Sequence, residues 1–185
     1  LTADYVREGG MTLTTRQTRA ANFNAVRGQF VSPQNNWQPD DFPAYASEAY
    51  RVEDGGEQVW RDIALPFTIS APMAQRLAKI ALERARRQIS VRLSGKLKAW
   101  RVTAGDTTLL RYSRWGFGGP DPNDGKPFEV EAVRLDLTQI GSGPRIAPEL
   151  LLRETSPLVY DRDASEEQIY AAAPRTKLPS AFDIA

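Results

Sequence analysis

Hydrophobic positions recur with sustained helical spacing in one stretch only, Ser70–Leu93, read SAPMAQRLAKIALERARRQISVRL. At about 100° per residue, Met73, Ala74, Leu77, Ala78, Ile80, Ala81 and Ala85 gather on one side; Gln75, Lys79, Glu83, Arg86 and Arg87 fall on the other. Ser70 can cap the first turn and Pro72 fits inside it, where amides lack intrahelical partners. The pattern predicts one amphipathic helix over about 71–88. Arg84 projects from the apolar arc; it either snorkels with its guanidinium outward or serves a subunit interface. Ile89, Val91 and Leu93 then alternate with Ser90 and Arg92, which predicts a strand with one buried face.

Elsewhere the apolar runs are short and read as strands. Residues 23–31 form one, with Gly28 a candidate bulge. Residues 32–43 form an irregular loop that Trp37 and Phe42 pin to the core, with Asp40 and Asp41 in turn or cap roles. Residues 46–52 and 58–67 read as the arms of a hairpin closed by Asp54-Gly55-Gly56. On the second arm Val59, Arg61, Ile63 and Leu65 share one face, and Trp60, Asp62, Ala64 and Pro66 the other. Gly9-Gly10 is a turn between two short strands, and Thr103–Asp106 another. The stretch 115–127, rich in glycine and proline, is a surface loop; 141–148 is a breaker, and 149–160 a last strand interrupted at Pro157. The sum is six to nine short strands and one sizeable helix, an α+β, β-rich fold with the helix packed on a sheet.

Composition removes chemistry rather than adding it. The 185 residues contain no cysteine and no histidine, so a disulfide, a thiolate nucleophile, a Ser-His-Asp triad and the common zinc sites are excluded within this chain. The net charge of +1 does not single out nucleic acid as a partner, and the cluster Arg84, Arg86 and Arg87 reads as a solvated helix end. Glu53, Asp54, Glu129 and Glu131 are candidates for a hydrolytic carboxylate pair, but their spacing selects none. The glycines of 115–127 match no phosphate-binding spacing. No catalytic, cofactor-binding or metal residue is therefore assigned. No apolar run approaches the roughly 20 residues of a membrane-spanning helix. The chain opens at Leu1 rather than methionine, which suggests a piece of something longer.

Several segments, in order, resemble a known family. Asn24–Gly28 (NAVRG), Asp62–Phe67 (DIALPF), Ala74–Leu82 (AQRLAKIAL), the Ala104-Gly105-Asp106 turn and Leu150–Thr155 (LLLRET) are similar to the central hub region of phage tail-tip proteins. That group comprises the tip attachment (host specificity) protein J of lambda-like siphophages and related tail proteins of prophages and gene transfer agents. Ala104 stands where the family has proline, and Gly116–Lys126 looks like an insertion. The closing LPSAFDIA resembles the family's exit toward fibronectin type III modules.

The resemblance implies an α+β hub subdomain over 1–95, a β-barrel-like portion over 96–160 and a linker over 161–185. It implies a structural virion protein, made in the host bacterial cytoplasm and placed at the tail tip, with no chemical step and no cofactor. It also implies trimers around the tail axis, contacts with distal tail and tape measure proteins, and a host receptor bound by parts further along the chain. A ring needs homotypic anchors, for which Trp60, Trp100, Trp115 and Phe117 are candidates; core packing is the expected role of Trp60 and Trp100. Two alternatives stand beside it. One is a receptor- or carbohydrate-binding module using the loops around Trp37 and Trp115. The other is a cell-wall hydrolase.

Overall fold

The computed structural model describes residues 1–2, 5–16, 18, 22–118, 121, 124–140 and 143–171. Its strands are β1 (Val6–Thr14), β2 (Ala25–Ser32), β3 (Gln38–Asp41), β4 (Tyr45–Ala46), β5 (Trp60–Leu65), β6 (Ser90–Gly95), β7 (Thr107–Leu110), β8 (Lys126–Ile140) and β9 (Gly143–Glu154). Its α-helices are α1 (Glu48–Glu53) and α2 (Ala71–Arg86). The fold is α+β and β-rich with one main helix, as its periodicities predict. The chain divides into two compact units that interleave in sequence: Leu1–Asn22 with Arg84–Val159, and Phe23–Glu83 with Tyr160–Ala185.

The first unit is a five-stranded antiparallel sheet in the order β1-β6-β9-β8-β7. Leu1 links its far edge to the start of the chain: its main-chain nitrogen donates to Leu109 O (2.5 Å), and its carbonyl accepts from Arg111 N–H (2.9 Å). The sheet thereby curls into a half-barrel. Inside lie Val91 and Leu93, Leu110, Phe128 and Val130, and Leu150 and Leu152, all at alternate positions of their strands, with Ala99 beside them.

Three readings of this unit change. Gly9-Gly10 is no turn; β1 runs through it, and the ladder with β6 shifts register between Val6 and Met11. Residues 97–101 form a 3-10 helix rather than a strand, while the Thr103–Asp106 turn is as predicted. Asp106 closes that turn by accepting from both the main-chain N–H and the hydroxyl of Thr103 (2.9 Å each), and Gly105 takes φ +94°. The breaker expected at 141–148 is mostly strand, since β9 starts at Gly143; Gly141 and Ser142 lie outside the described residues. Proline fits there because Pro144 and Pro148 face Gln139 and Leu135 at positions whose N–H would point away from β8.

In the second unit β2 is central. It pairs antiparallel with β3 and β4 along one side and parallel with β5 along the other. The hairpin expected between 46–52 and 58–67 does not form. Ser47 accepts from Tyr50 N–H and caps α1, and Gly55 and Gly56, with φ +79° and +88°, end it. The Asp-Gly-Gly signal is a helix stop. Gly28 is no bulge either, because the β2–β5 register is unbroken. Glycine is required there since an added Cβ would lie 1.8 Å from the carbonyl oxygen of Ile63. Asp40 and Asp41 belong to a strand, and Asp40 accepts a hydrogen bond from the Tyr170 hydroxyl.

Helix α2 buries Ala71, Ala74, Gln75, Ala78 and Leu82, a stripe rotated from the predicted arc, and leaves Met73 exposed. The displacement has a polar cause. Gln75 donates to the carbonyl of Gln168 (2.8 Å) and accepts from its N–H (2.9 Å), so a side-chain amide acts as a strand partner for residue 168. Lys79 pairs with Glu166 (2.6 Å), the Tyr50 hydroxyl donates to Glu83 (2.8 Å), and Arg162 donates to the carbonyl of Pro72 (2.9 Å). The supposed solvent face is thus occupied by residues 162–168.

Candidate interaction surface

The NAVRG and DIALPF segments turn out to be partners, lying side by side as β2 and β5 in parallel register. Each letter has a physical reason. Asn24 is buried and fully bonded: its amide donates to Asp54 (2.8 Å) and to the carbonyl of Glu57 (2.8 Å), and its oxygen accepts from Val59 N–H (2.8 Å). It clamps the turn after α1 to the start of β2. Ala25 and Val26 are fully buried, and Gly28 admits the Ile63 carbonyl.

Arg27 lies opposite Asp62 in the ladder, bonded at 2.6 Å, with its guanidinium 5.6 Å from the Trp60 ring centroid. The hydrogen bond and charge of Arg27 hold the Asp62 carboxyl below its ordinary range, and Asp62 raises the arginine in return. Both groups are exposed, so the pair orients side chains more than it stabilises the fold. Beside them opens a groove of about 690 Å³ lined by Arg27, Gln29, Asp41, Asp62 and Ala64 among others.

The aromatic expectations divide. Trp115 and Phe117 pack inward: Trp115 meets Tyr112 and Phe117 edge-on at 4.9 and 6.0 Å, and Phe117 lies 5.8 Å from the core ring of Phe128. Trp60 and Trp100, expected in the core, are exposed at 41% and 54%. Trp37 does not pin its loop; it is 62% exposed with φ +61°, while Phe42 is buried. A bulky residue in the left-handed region is strained, and such strain gathers at functional positions. Sequence reasoning missed Phe67, which is 97% exposed. The signal was Pro66, which cannot continue a ladder and so releases the next residue from the sheet.

The charged candidates are engaged within the fold. Arg84 contacts both carboxylate oxygens of Glu129 (3.0 and 3.1 Å), Arg153 binds Glu131 (3.2 Å), and Arg86 donates to Asn22 (3.1 Å). Asp54 accepts from Asn24, and Glu53 sits at the end of α1. Among the described residues no three carboxylates cluster as a metal site, and no helix is long and apolar enough to cross a membrane. The exposed Trp60 ring beside the Arg27–Asp62 pair has the ingredients of a protein-docking surface.

The fold has known counterparts. A chain of the virion of a native gene transfer agent particle aligns with a TM-score of 0.61 at 16% identity, over 87% of this chain and 32% of that one. A 43 kDa tail protein of a Shewanella oneidensis prophage aligns at 0.47 and 10% identity, over 82% and 42%. A prophage tail protein of Listeria monocytogenes aligns at 0.41 and 15% identity, over 86% and 45%. The chain therefore spans between about a third and under half of the proteins it matches. No curated protein matches it. Residues 2–116 match the family described as "Putative phage tail protein". The chain belongs to that family of phage tail proteins.

Proposed function

We propose that this chain is a hub portion of a phage or prophage tail tip, a structural part without a catalytic step. In this reading it assembles as a trimer around the tail axis, contacts distal tail and tape measure proteins, and joins the tube to receptor-binding parts of a longer chain. The observation that carries the reading is the fold likeness to a chain of an assembled gene transfer agent particle, over 87% of this chain but only 32% of that one. Trp60, Trp100, Trp37 and Phe67 are its contact residues, since such side chains dominate interface energies when buried. A receptor- or carbohydrate-binding role finds less support, because of its two loops only that of Trp37 presents the ring to solvent.

Immunogold labelling of particles from the source strain, with antibody raised against this chain, tests the proposal. Gold at the distal end of the tail supports it. Gold along the tail shaft, or particles without the protein, overturns it.

A further inference from the structure

Strands β8 and β9 continue as a two-stranded ribbon after the rest of their sheet has ended. On the β8 side the last partners are Thr107, opposite Glu129, and Asp106, which accepts from Val130 N–H. On the β9 side the last partner is Ser94, opposite Glu149. Beyond those rows, among the described residues, no third strand is paired. The ribbon is amphipathic: Val133, Leu135 and Leu137 stand opposite Leu150, Pro148 and Ile146 on one face, and Leu137 is 70% exposed. Arg134 and Asp136 occupy the other. A two-stranded ribbon is marginal by itself and needs a covering.

Its two edges are unlike. On β9 the outward main-chain positions are 144, 146 and 148, and prolines at the first and last remove two of three N–H donors. Proline is how natural sheets close an edge. On β8 the outward positions are 135, 137 and 139, with no proline. One edge is shut by proline, and the other keeps its main-chain N–H donors.

We propose that the β8 edge takes the β8 of a second copy, antiparallel about a two-fold axis through Leu135. The register is set by charge. With Leu135 facing the partner's Leu135, Arg134 faces the partner's Asp136 and Asp136 the partner's Arg134, while Val133 faces the partner's Leu137. Moving the axis to residue 134 or 136 sets Arg134 or Asp136 against itself, and like charges directly opposite destabilise a ladder. The axis at 135 also places outward N–H and C=O groups opposite each other, as an antiparallel pair requires. This inference does not rest on the tail-tip reading. Subunits of a ring meet through unlike surfaces, so the two-fold pair is a form of the free chain and must part before a ring closes.

Sedimentation of the full chain across a concentration series at low salt tests it, with Arg134→Asp, Asp136→Arg and the double variant, each checked for unaltered circular dichroism. The wild type is expected to be a dimer. Each single variant, which opposes like charges twice, should raise the dissociation constant about tenfold. The double variant should restore the dimer, and so should mixing the two single variants, a rescue that misfolding cannot imitate. A wild type that is monomeric throughout, a trimer, or variants that weaken the dimer without rescue would overturn the proposal.

Discussion

Gly28→Ala isolates the β2–β5 contact on which the second unit depends. The new Cβ would stand 1.8 Å from the carbonyl oxygen, 2.8 Å from the carbonyl carbon and 3.0 Å from the nitrogen of Ile63, all main-chain atoms with no rotamer to retreat into. Restoring ordinary contact means moving one strand by about 1.5 Å, which stretches ladder bonds of roughly 2.9 Å past their useful range. Two or three bonds around the rows Arg27–Asp62, Gly28–Ile63 and Gln29–Ala64 are then lost, at about 1 kcal/mol each. Alanine returns about 0.4–1 kcal/mol by restricting the unfolded chain. The net expectation is a loss of roughly 1–2.5 kcal/mol, a fall in Tm of about 2–10 °C for a chain of this size. Urea unfolding followed by tryptophan emission reports it, because Trp60 sits on β5. A variant within about 0.5 kcal/mol of wild type would refute the steric argument.

Other expectations follow from the same geometry. Asn24→Asp removes two donors and sets a carboxylate against Asp54, so it should cost about 3–5 kcal/mol at neutral pH and recover in acid; urea midpoints against pH decide it. Trp115→Ala should cost about 2–4 kcal/mol, whereas Trp60→Ala should stay within about 0.5 kcal/mol, both read by urea unfolding followed by circular dichroism because each removes a tryptophan. Residues 162–170 should detach in alkali. Burial, then the bond to Asp40, raises the Tyr170 hydroxyl; for Lys79 burial lowers the ammonium, but Glu166, Tyr45 and Glu83 together raise it. Both raised groups stabilise fully below their unfolded values of about 10 to 10.5 and lose that contribution as pH rises through the folded ones. Protection of the amides at 163–170 should fall across that window in the wild type, whereas Tyr170→Phe, which lacks the hydroxyl and its bond to Asp40, should already be less protected at neutral pH; uniform protection up to global unfolding would contradict this.

The helix and the alternating core strands were legible because a 3.6 or a 2.0 period needs no knowledge of partners. Register and covering do need it. Glu131 shows why: the β8–β9 register shifts between Val130 and Ala132, and this extra residue is what brings Val133, Leu135 and Leu137 onto the face of Phe128 and Val130. A straight period-2 reading puts them on the wrong side. Gln75 shows the same limit on a helix, since its burial depends on a main-chain partner at residue 168. The turn at 54–56 was found but assigned to a hairpin, because glycine after a short run stops a helix and turns a strand equally well. Among the candidate contacts, tryptophan identity was visible but not exposure, and Trp60 and Trp115 exchange the roles their neighbours in sequence suggested.

The interleaved order of the two units has a consequence for biosynthesis. Residues 23–83 leave the ribosome with a finished sheet but without 160–170, the segment that covers Gln75, Lys79 and Tyr45's side of α2. At 5–20 residues per second the gap lasts roughly 4–15 s. The first unit waits as well, because its N-terminal strand can pair only after β6 appears. Neither unit can therefore be completed while the other is still unwritten, and no contiguous cut of the chain yields one of them whole without most of the other.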